Sequence, residues 1–290
     1  SGTTDIITVV LNAQPLSDVV MAISSSDASE TAVNGSTANN NSLTFTSENW
    51  DTPQSFTVTG VDDDLVDGTV NSILTISVVD ALSDNGFDAV ADQTVTASTT
   101  DDDVAGFTIV ELDGSTEVDE SGDTDTFTVV LDAQPTSDVV ITITSSDTGE
   151  ATVTSTLTFT PANWDTPQVA TITGVDDDII DGSQTSTITV SIDDANSDDD
   201  FDAVADQTVS VSTTDDDVAG FTVAETDGST GVDESGTTDI ITVVLNAQPA
   251  SDVVITVTSS DTGEATVTSS LTNKTENTKT PQNVTVTGAD

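Results

Sequence analysis

The run SGTTDIITVVLNAQP at Ser1 returns as SGDTDTFTVVLDAQP at Ser121 and, letter for letter, as SGTTDIITVVLNAQP at Ser235. A second run, TTDDDVAGFT, stands at both Thr99 and Thr213, 114 residues apart. Recurrence at so long a period means an array of whole domains rather than a solenoid of small repeats. The first interval is 120 residues and the second 114. Asp27 maps to Asp147 at the longer spacing and Trp50 to Trp164 at the shorter one. The extra residues therefore lie between them, in the Asn-rich stretch NGSTANNNS. A polar insertion of that kind reads as a surface loop.

Within a repeat, apolar residues alternate with Thr and Ser. Phe127, Val129 and Leu131 point one way, as do Val139, Ile141 and Ile143, then Leu157 and Phe159. Ile188, Val190 and Ile192 give the clearest alternation, and GFTIVE, QVATITGV and QTVSVSTT complete the set. Period-two alternation with Thr outside and Val or Ile inside is the pattern of half-buried antiparallel strands. The expected fold is all-β: tandem seven-stranded, immunoglobulin-like antiparallel β-sandwiches.

The chain does not divide into whole repeats. Residues 1–103 are read as a unit lacking its first strand, 104–217 as a complete unit, and 218–290 as a unit stopping after its fifth strand. A window cut from a longer array is the expectation, with a strand-exchanging polymer subunit as the alternative. The last unit also departs from pattern. Where the others read LTFTSENWDTPQ and LTFTPANWDTPQ, it reads LTNKTENTKTPQ, losing Phe and Trp and gaining Lys274 and Lys279.

Those are the only basic residues against 53 acidic ones, for a net charge of −51, and Cys, His and Tyr are absent. Zinc, copper, haem and iron–sulfur sites need nitrogen or sulfur donors that the chain lacks. A Ser-His-Asp or Cys-His nucleophile is excluded for the same reason. Nucleic acid is not an expected partner, because the field is uniformly negative. No apolar run has the length of a membrane helix, so no membrane insertion is expected in this segment. The charge suits a salty exterior, where repulsion is screened within roughly 5–10 Å.

The carboxylates are not scattered. In a sandwich of antiparallel strands, alternate connections share one pole. The connection after the first strand carries Glu120, and the one after the third carries Asp147. The one after the fifth carries Asp176, Asp177, Asp178 and Asp181, and the last strand ends in Asp215, Asp216 and Asp217. Two carboxylates 4 Å apart repel by ~1 kcal/mol in water and by ~4 kcal/mol at an effective dielectric near 20. Calcium reverses that sign and takes roughly 6–8 oxygen ligands in flexible geometry, whereas magnesium keeps its waters and demands an octahedron. Neither an EF-hand loop nor a glycine-rich calcium nonapeptide is present. The competing reading is acidic turn chemistry on a salt-adapted surface.

TTDDDVAGFT followed by VDESG, with SSDTGEA and GVDDDIIDG, resembles the Calx-β domain of sodium–calcium exchangers, which also occurs in tandem in large prokaryotic surface proteins. The resemblance covers the whole middle unit and what is present of the other two, and TFTPANWDTPQ is nearer the prokaryotic repeats. It implies calcium ligands at Glu120, Asp147, Asp176–Asp178, Asp181 and Asp215–Asp217. In the first unit it implies Asp27, Asp62, Asp63, Asp64, Asp67, Asp101, Asp102 and Asp103. In the third it implies Glu234 and Asp261, in a site expected to be incomplete.

Only Val104, Ala105 and Gly106 separate an Asp triplet from the next strand, so the acidic pole of one unit must face the opposite pole of its successor. That pole carries the acidic loop IDDANSDDDFDAVADQ. The expected function is a calcium-stiffened repeat array of an extracellular or cell-surface protein, adhesin or filament. Its partners would be neighbouring repeats of a longer chain, with identical chains in a fibre as a further possibility. The alternative is a carbohydrate-binding module using Trp50 and Trp164, although such a Trp more often caps the sandwich core. No catalytic residues are read, and no enzymatic activity is expected: paired carboxylates for glycoside hydrolysis need a cleft and separated roles. Asn34, Asn40, Asn273 and Asn283 match the glycosylation acceptor pattern, which chance explains equally well in so Asn- and Thr-rich a chain.

Overall fold

The computed structural model describes residues 2–35, 41–112, 114–275 and 279–290. The Asn-rich insertion at 36–40, with the acceptor Asn40, lies outside the described residues, as do 276–278 of the divergent segment. The middle of the chain follows the alternation closely. Strands β8 (Phe107–Glu111), β10 (Thr124–Leu131), β12 (Ala151–Val153) and β14 (Gln168–Gly174) form one sheet, in the order β12-β14-β10-β8. Strands β9 (Thr116–Asp119), β11 (Val139–Ser145), β13 (Thr156–Phe159), β15 (Gln184–Ile192) and β16 (Gln207–Thr214) form the other, in the order β13-β11-β15-β16-β9. Between them Phe107, Phe127, Leu131, Ile141, Ile143, Phe159, Ile172, Ile188 and Phe201 are all buried, and Trp164 packs against their edge. Thr and Ser take the alternate, outward positions, where pleating puts them.

Among its described residues this unit therefore has nine strands rather than seven, and it is not wholly antiparallel. The expected opening strand GFTIVE is β8, which pairs antiparallel with β10. The chain then turns at Gly114, whose φ of 80° favours glycine, and a further strand, β9, forms in what was read as a connection, crosses to the other sheet and pairs parallel with β16. The crossing buries Val118 and Thr116, each 3% exposed. It also brings the Asp119 carbonyl oxygen to 1.9 Å from where a Cβ on Gly174 would stand, so only glycine fits there. Gly288 meets the Asp233 carbonyl oxygen at the same 1.9 Å. The other addition, β12, is three residues long and pairs with β14 through Ala151, Thr152 and Val153.

The preceding stretch holds β1 (Thr4–Val9), β2 (Val19–Ser25), β3 (Thr31–Gly35), β4 (Ser42–Phe45), β5 (Gln54–Gly60), β6 (Val70–Val78) and β7 (Gln93–Thr99), in sheets β1-β5-β3 and β4-β2-β6-β7. The following one holds β17 (Phe221–Glu225), β18 (Thr238–Leu245), β19 (Val253–Thr256), β20 (Ala265–Val267), β21 (Ser270–Asn273) and β22 (Gln282–Gly288), in sheets β17-β18-β22-β20 and β19-β21. Among the described residues no sheet mixes strands from different stretches.

Among the described residues the buried clusters differ in size, the middle one being the largest. Eighteen buried apolar residues form the middle core and eleven the first, but only Val243, Leu271 and Val284 form the last. In that last core Asn273 takes the place of Phe159. It is fully buried, its Oδ1 accepts from Gln282 Nε2 at 2.8 Å, and its Nδ2 has no partner among the described residues.

A carboxylate organises the pole away from the acid triplets. Asp198 Oδ2 accepts from the Thr136 amide and hydroxyl and from the Ser137 amide, at 2.7, 2.8 and 2.7 Å. Burial works against its charge, but those bonds win, and its pKa falls below the usual carboxylate value. No helix among the described residues is long and apolar enough to cross a membrane.

Candidate cation site and the junctions between units

Because β9 runs beside β16 in the same direction, the turn after Asp119 and the end of β16 meet. The Glu120 amide donates to the Thr214 carbonyl at 3.1 Å. The β11–β12 turn joins them: Asp147 Oδ1 accepts from the Gly149 amide at 2.9 Å, and the Glu150 carbonyl accepts from the Val175 amide at 2.9 Å. Asp215 organises the fourth connection. Its Oδ2 accepts from the Asp181 and Gly182 amides at 3.1 and 2.8 Å, and its Oδ1 from the Asp217 amide at 2.8 Å. Asp177 Oδ1 closes the same loop on the Ile179 amide at 2.6 Å.

Glu120, Asp215 and Asp217 each bring a carboxylate oxygen to within 4.8 Å of the other two. Glu120 is 1% exposed. Five buried side-chain polar atoms among the described residues have no hydrogen-bond partner. Three of them are carboxylate oxygens of this pole: Glu120 Oε2, Glu150 Oε2 and Asp217 Oδ2. Charged oxygens that are buried and unpaired are expensive, and burial accordingly favours the protonated forms. Burial, with Asp177, Asp215, Glu150 and Asp181 nearby, pushes the Glu120 carboxyl up to about 7. Burial chiefly, then Asp181 and Asp177, raises Glu150; burial, then Asp178 and Asp215, raises Asp217. Asp215 moves the other way, because the Gly182 and Asp217 amides stabilise its anion.

The donor set is all hard oxygen, with three orphaned carboxylate oxygens buried at the same pole, and it fits a hard divalent cation of calcium type. Glu120, Asp215 and Asp217 would hold it, with Glu150 beside them. Glu150 was not among the residues expected from sequence; three residues past Asp147 in SSDTGE, it reads as part of a turn. Asp147, Asp177 and Asp181 lie close enough to act on the charges of Glu120 and Glu150 without joining the tight group. Asp176 and Asp216 are exposed, and Asp178 is turned toward the next unit.

The first unit repeats the arrangement more openly. Asp101 accepts from the Asp67, Gly68 and Asp103 amides at 3.1, 2.8 and 2.7 Å, as Asp215 does in the middle unit. Glu30, the counterpart of Glu150, is 8% exposed and has its pKa raised by burial, then by Asp67, Asp63, Asp27 and Asp101. Glu30, Asp62, Asp63, Asp67, Asp101, Asp102 and Asp103 line a cleft of about 470 Å³. Asp27 Oδ1 stays in its own turn, on the Ser29 amide at 3.0 Å. In the last unit Glu234 and Asp261 are exposed and join no group of three carboxylates among the described residues.

The acid loops also carry the joints. At the first, the Gln134 amide donates to the Asp64 carbonyl at 2.7 Å and the Val66 amide to the Gln134 carbonyl at 3.2 Å, while Val66 packs against the middle core. Asp200, from the acidic loop of the facing pole, is close enough to raise Asp67 further, after burial, Asp63 and Asp101. At the second, the Gln248 amide donates to the Asp178 carbonyl at 2.5 Å, Ile179 bridges Gln248 in parallel, and Lys279 Nζ lies 2.5 Å from Asp178 Oδ1.

No protein-family model matches the chain, and no curated protein sequence matches it. Among solved structures, domains 1–6 of the surface layer protein SbsC align over 93% of this chain and 28% of that one, at 12% identity and a TM-score of 0.32. Domains 4 and 5 of the same S-layer protein align over 67% of this chain and 70% of that one, at 15% identity and 0.30. CBD12 from CALX1.2 aligns over 64% and 75%, at 16% identity and 0.29. The chain thus spans about a quarter of the first of these. Such distant likenesses assign neither family nor role.

Proposed function

We propose that this chain is a calcium-stiffened structural array of β-sandwich repeats belonging to an extracellular or cell-surface protein, adhesin or filament. The observation that carries the proposal is the three orphaned carboxylate oxygens at the pole whose loop also bonds to the next unit. Calcium at Glu120, Asp215 and Asp217, with Glu150 beside them, would supply the missing positive charge and tie β16, the β9–β10 turn and the β11–β12 turn together. The residues themselves already do part of the work. Asp215 holds the β14–β15 loop by two amides, Asp181 and Gly182, and that loop presents the Asp178 carbonyl to Gln248. Fixing the loop and fixing the joint are therefore one event.

The role is structural rather than catalytic, with neighbouring repeats, and identical chains in a fibre, as partners. The sugar-binding alternative is weaker, because Trp50 and Trp164 are half-buried and pack against the cores of their own units. Calorimetric titration of the whole chain with calcium, with small-angle scattering beside it, tests the reading. Saturable binding and a longer, narrower particle are expected. No binding at millimolar calcium, or the same maximum dimension with and without chelator, would sink it.

A further inference from the structure

The two joints are built alike but charged differently. The main-chain bridge from Leu65 to Gln134 recurs 114 residues later as the bridge from Ile179 to Gln248. The same offset places Lys279 where the middle unit has Asp165, since β22 follows β14 by that interval. At the first joint, then, the counterpart of Lys279 is Asp165, in the unit whose Gln134 receives the acid loop, and Asp67 also feels Asp200. At the second, the corresponding position is an ammonium lying 2.5 Å from the Asp178 carboxylate. The chain has two lysines among 290 residues, and one of them lies on an acid triplet of the preceding unit.

We infer that Lys279 is a built-in counter-ion, doing at the second joint what an added divalent cation must do at the first, so that the two joints differ in their need for calcium. An isolated exposed ion pair contributes little. This one stands in a concentrated field: after the Asp178 contact itself, Asp176 and Asp217 also favour its charge. It acts alongside a main-chain bond from Gln248 to the same residue, and it has only to bias docking of two folded units. The inference also accounts for part of the divergent LTNKTENTKTPQ stretch: there Lys279 replaces an acid by a base at the contact.

The inference rests on the cation-stiffened reading, and the two fail separately. The chain has no cysteine, so paired cysteines for spin labels can be introduced cleanly at exposed sites: Thr94 with Thr152 across the first joint, Thr152 with Thr266 across the second. Electron–electron distance distributions are then measured on the whole chain in chelator and in calcium. In chelator the first joint should give a broad distribution and the second a narrow one. Lys279→Asp should broaden the second to match the first, and calcium should narrow it again. Asp165→Lys, at an exposed site, should narrow the first joint in chelator and thus tests the idea even if the Lys279 variant folds poorly. Equal widths in the unmodified chain, or a second joint unmoved by Lys279→Asp, would overturn the inference. A first joint that ignores calcium overturns the array reading and the comparison with an added cation, while the chelator arms still test by themselves whether Lys279 fixes the second joint.

Discussion

Glu120 shows how one residue can make a fold depend on its medium. Its folded pKa stands above the ordinary 4.5, at about 7. Below pH 4.5 folded and unfolded chains both keep the proton, and burial carries no penalty. As pH rises toward 7 the unfolded chain releases the proton first, and stability is lost. At 1.36 kcal/mol per pKa unit the loss comes to about 3 kcal/mol. In chelator, therefore, the melting temperature of the middle unit should fall between pH 5 and pH 8, and Glu120→Gln should flatten the profile. Saturating calcium should flatten it as well. Asn273 makes the opposite case, a buried polar group with no evident gain. Asn273→Phe restores what the other repeats carry, removes an unpaired donor and fills the small last core. It should stabilise that unit by ~1–3 kcal/mol, read as a higher first transition in calorimetry.

At the scale of elements, the strands written in strict alternation were legible from sequence. Ile188, Val190 and Ile192 could be nothing but one face of a strand, and all seven expected strands are present in the middle unit. What escaped were β9 and β12. They are four and three residues long, too short for a period to show, and β9 is a strand only because β16 lies beside it. The site divides in the same way. Carboxylates at one pole followed from strand parity, so Glu120, Asp215 and Asp217 were within reach of sequence reasoning. Glu150 was not, and the turning of Asp178 toward Lys279 depends on contact between units that no local pattern encodes. Gly174 offers the sharpest test of β9. A methyl group there would collide with the Asp119 carbonyl, so Gly174→Ala should detach β9 and displace Glu120. The expected cost is ~1–3 kcal/mol with a weakened calcium titration, and amide exchange of Thr116–Asp119 should rise ahead of the rest of the sheet.

Across the whole molecule, the cores predict an order of failure. Eighteen buried apolar residues against three set the middle unit far above the last. Amide exchange should open β19–β21 first and β10–β16 last, whatever the calcium concentration. Within the middle unit, the parallel pairing of β9 with β16 has a consequence under tension. The chain enters the unit ahead of β9 and leaves it after β16, so a pull on the two ends drags these neighbours past each other lengthwise. Their ladder, from Thr116 opposite Val211 to Asp119 opposite Thr214, is loaded in shear and must give way as a block instead of unzipping bond by bond. The carboxylates of Glu120 and Asp215 stand at the end of that ladder, where a bound ion would act as a rivet.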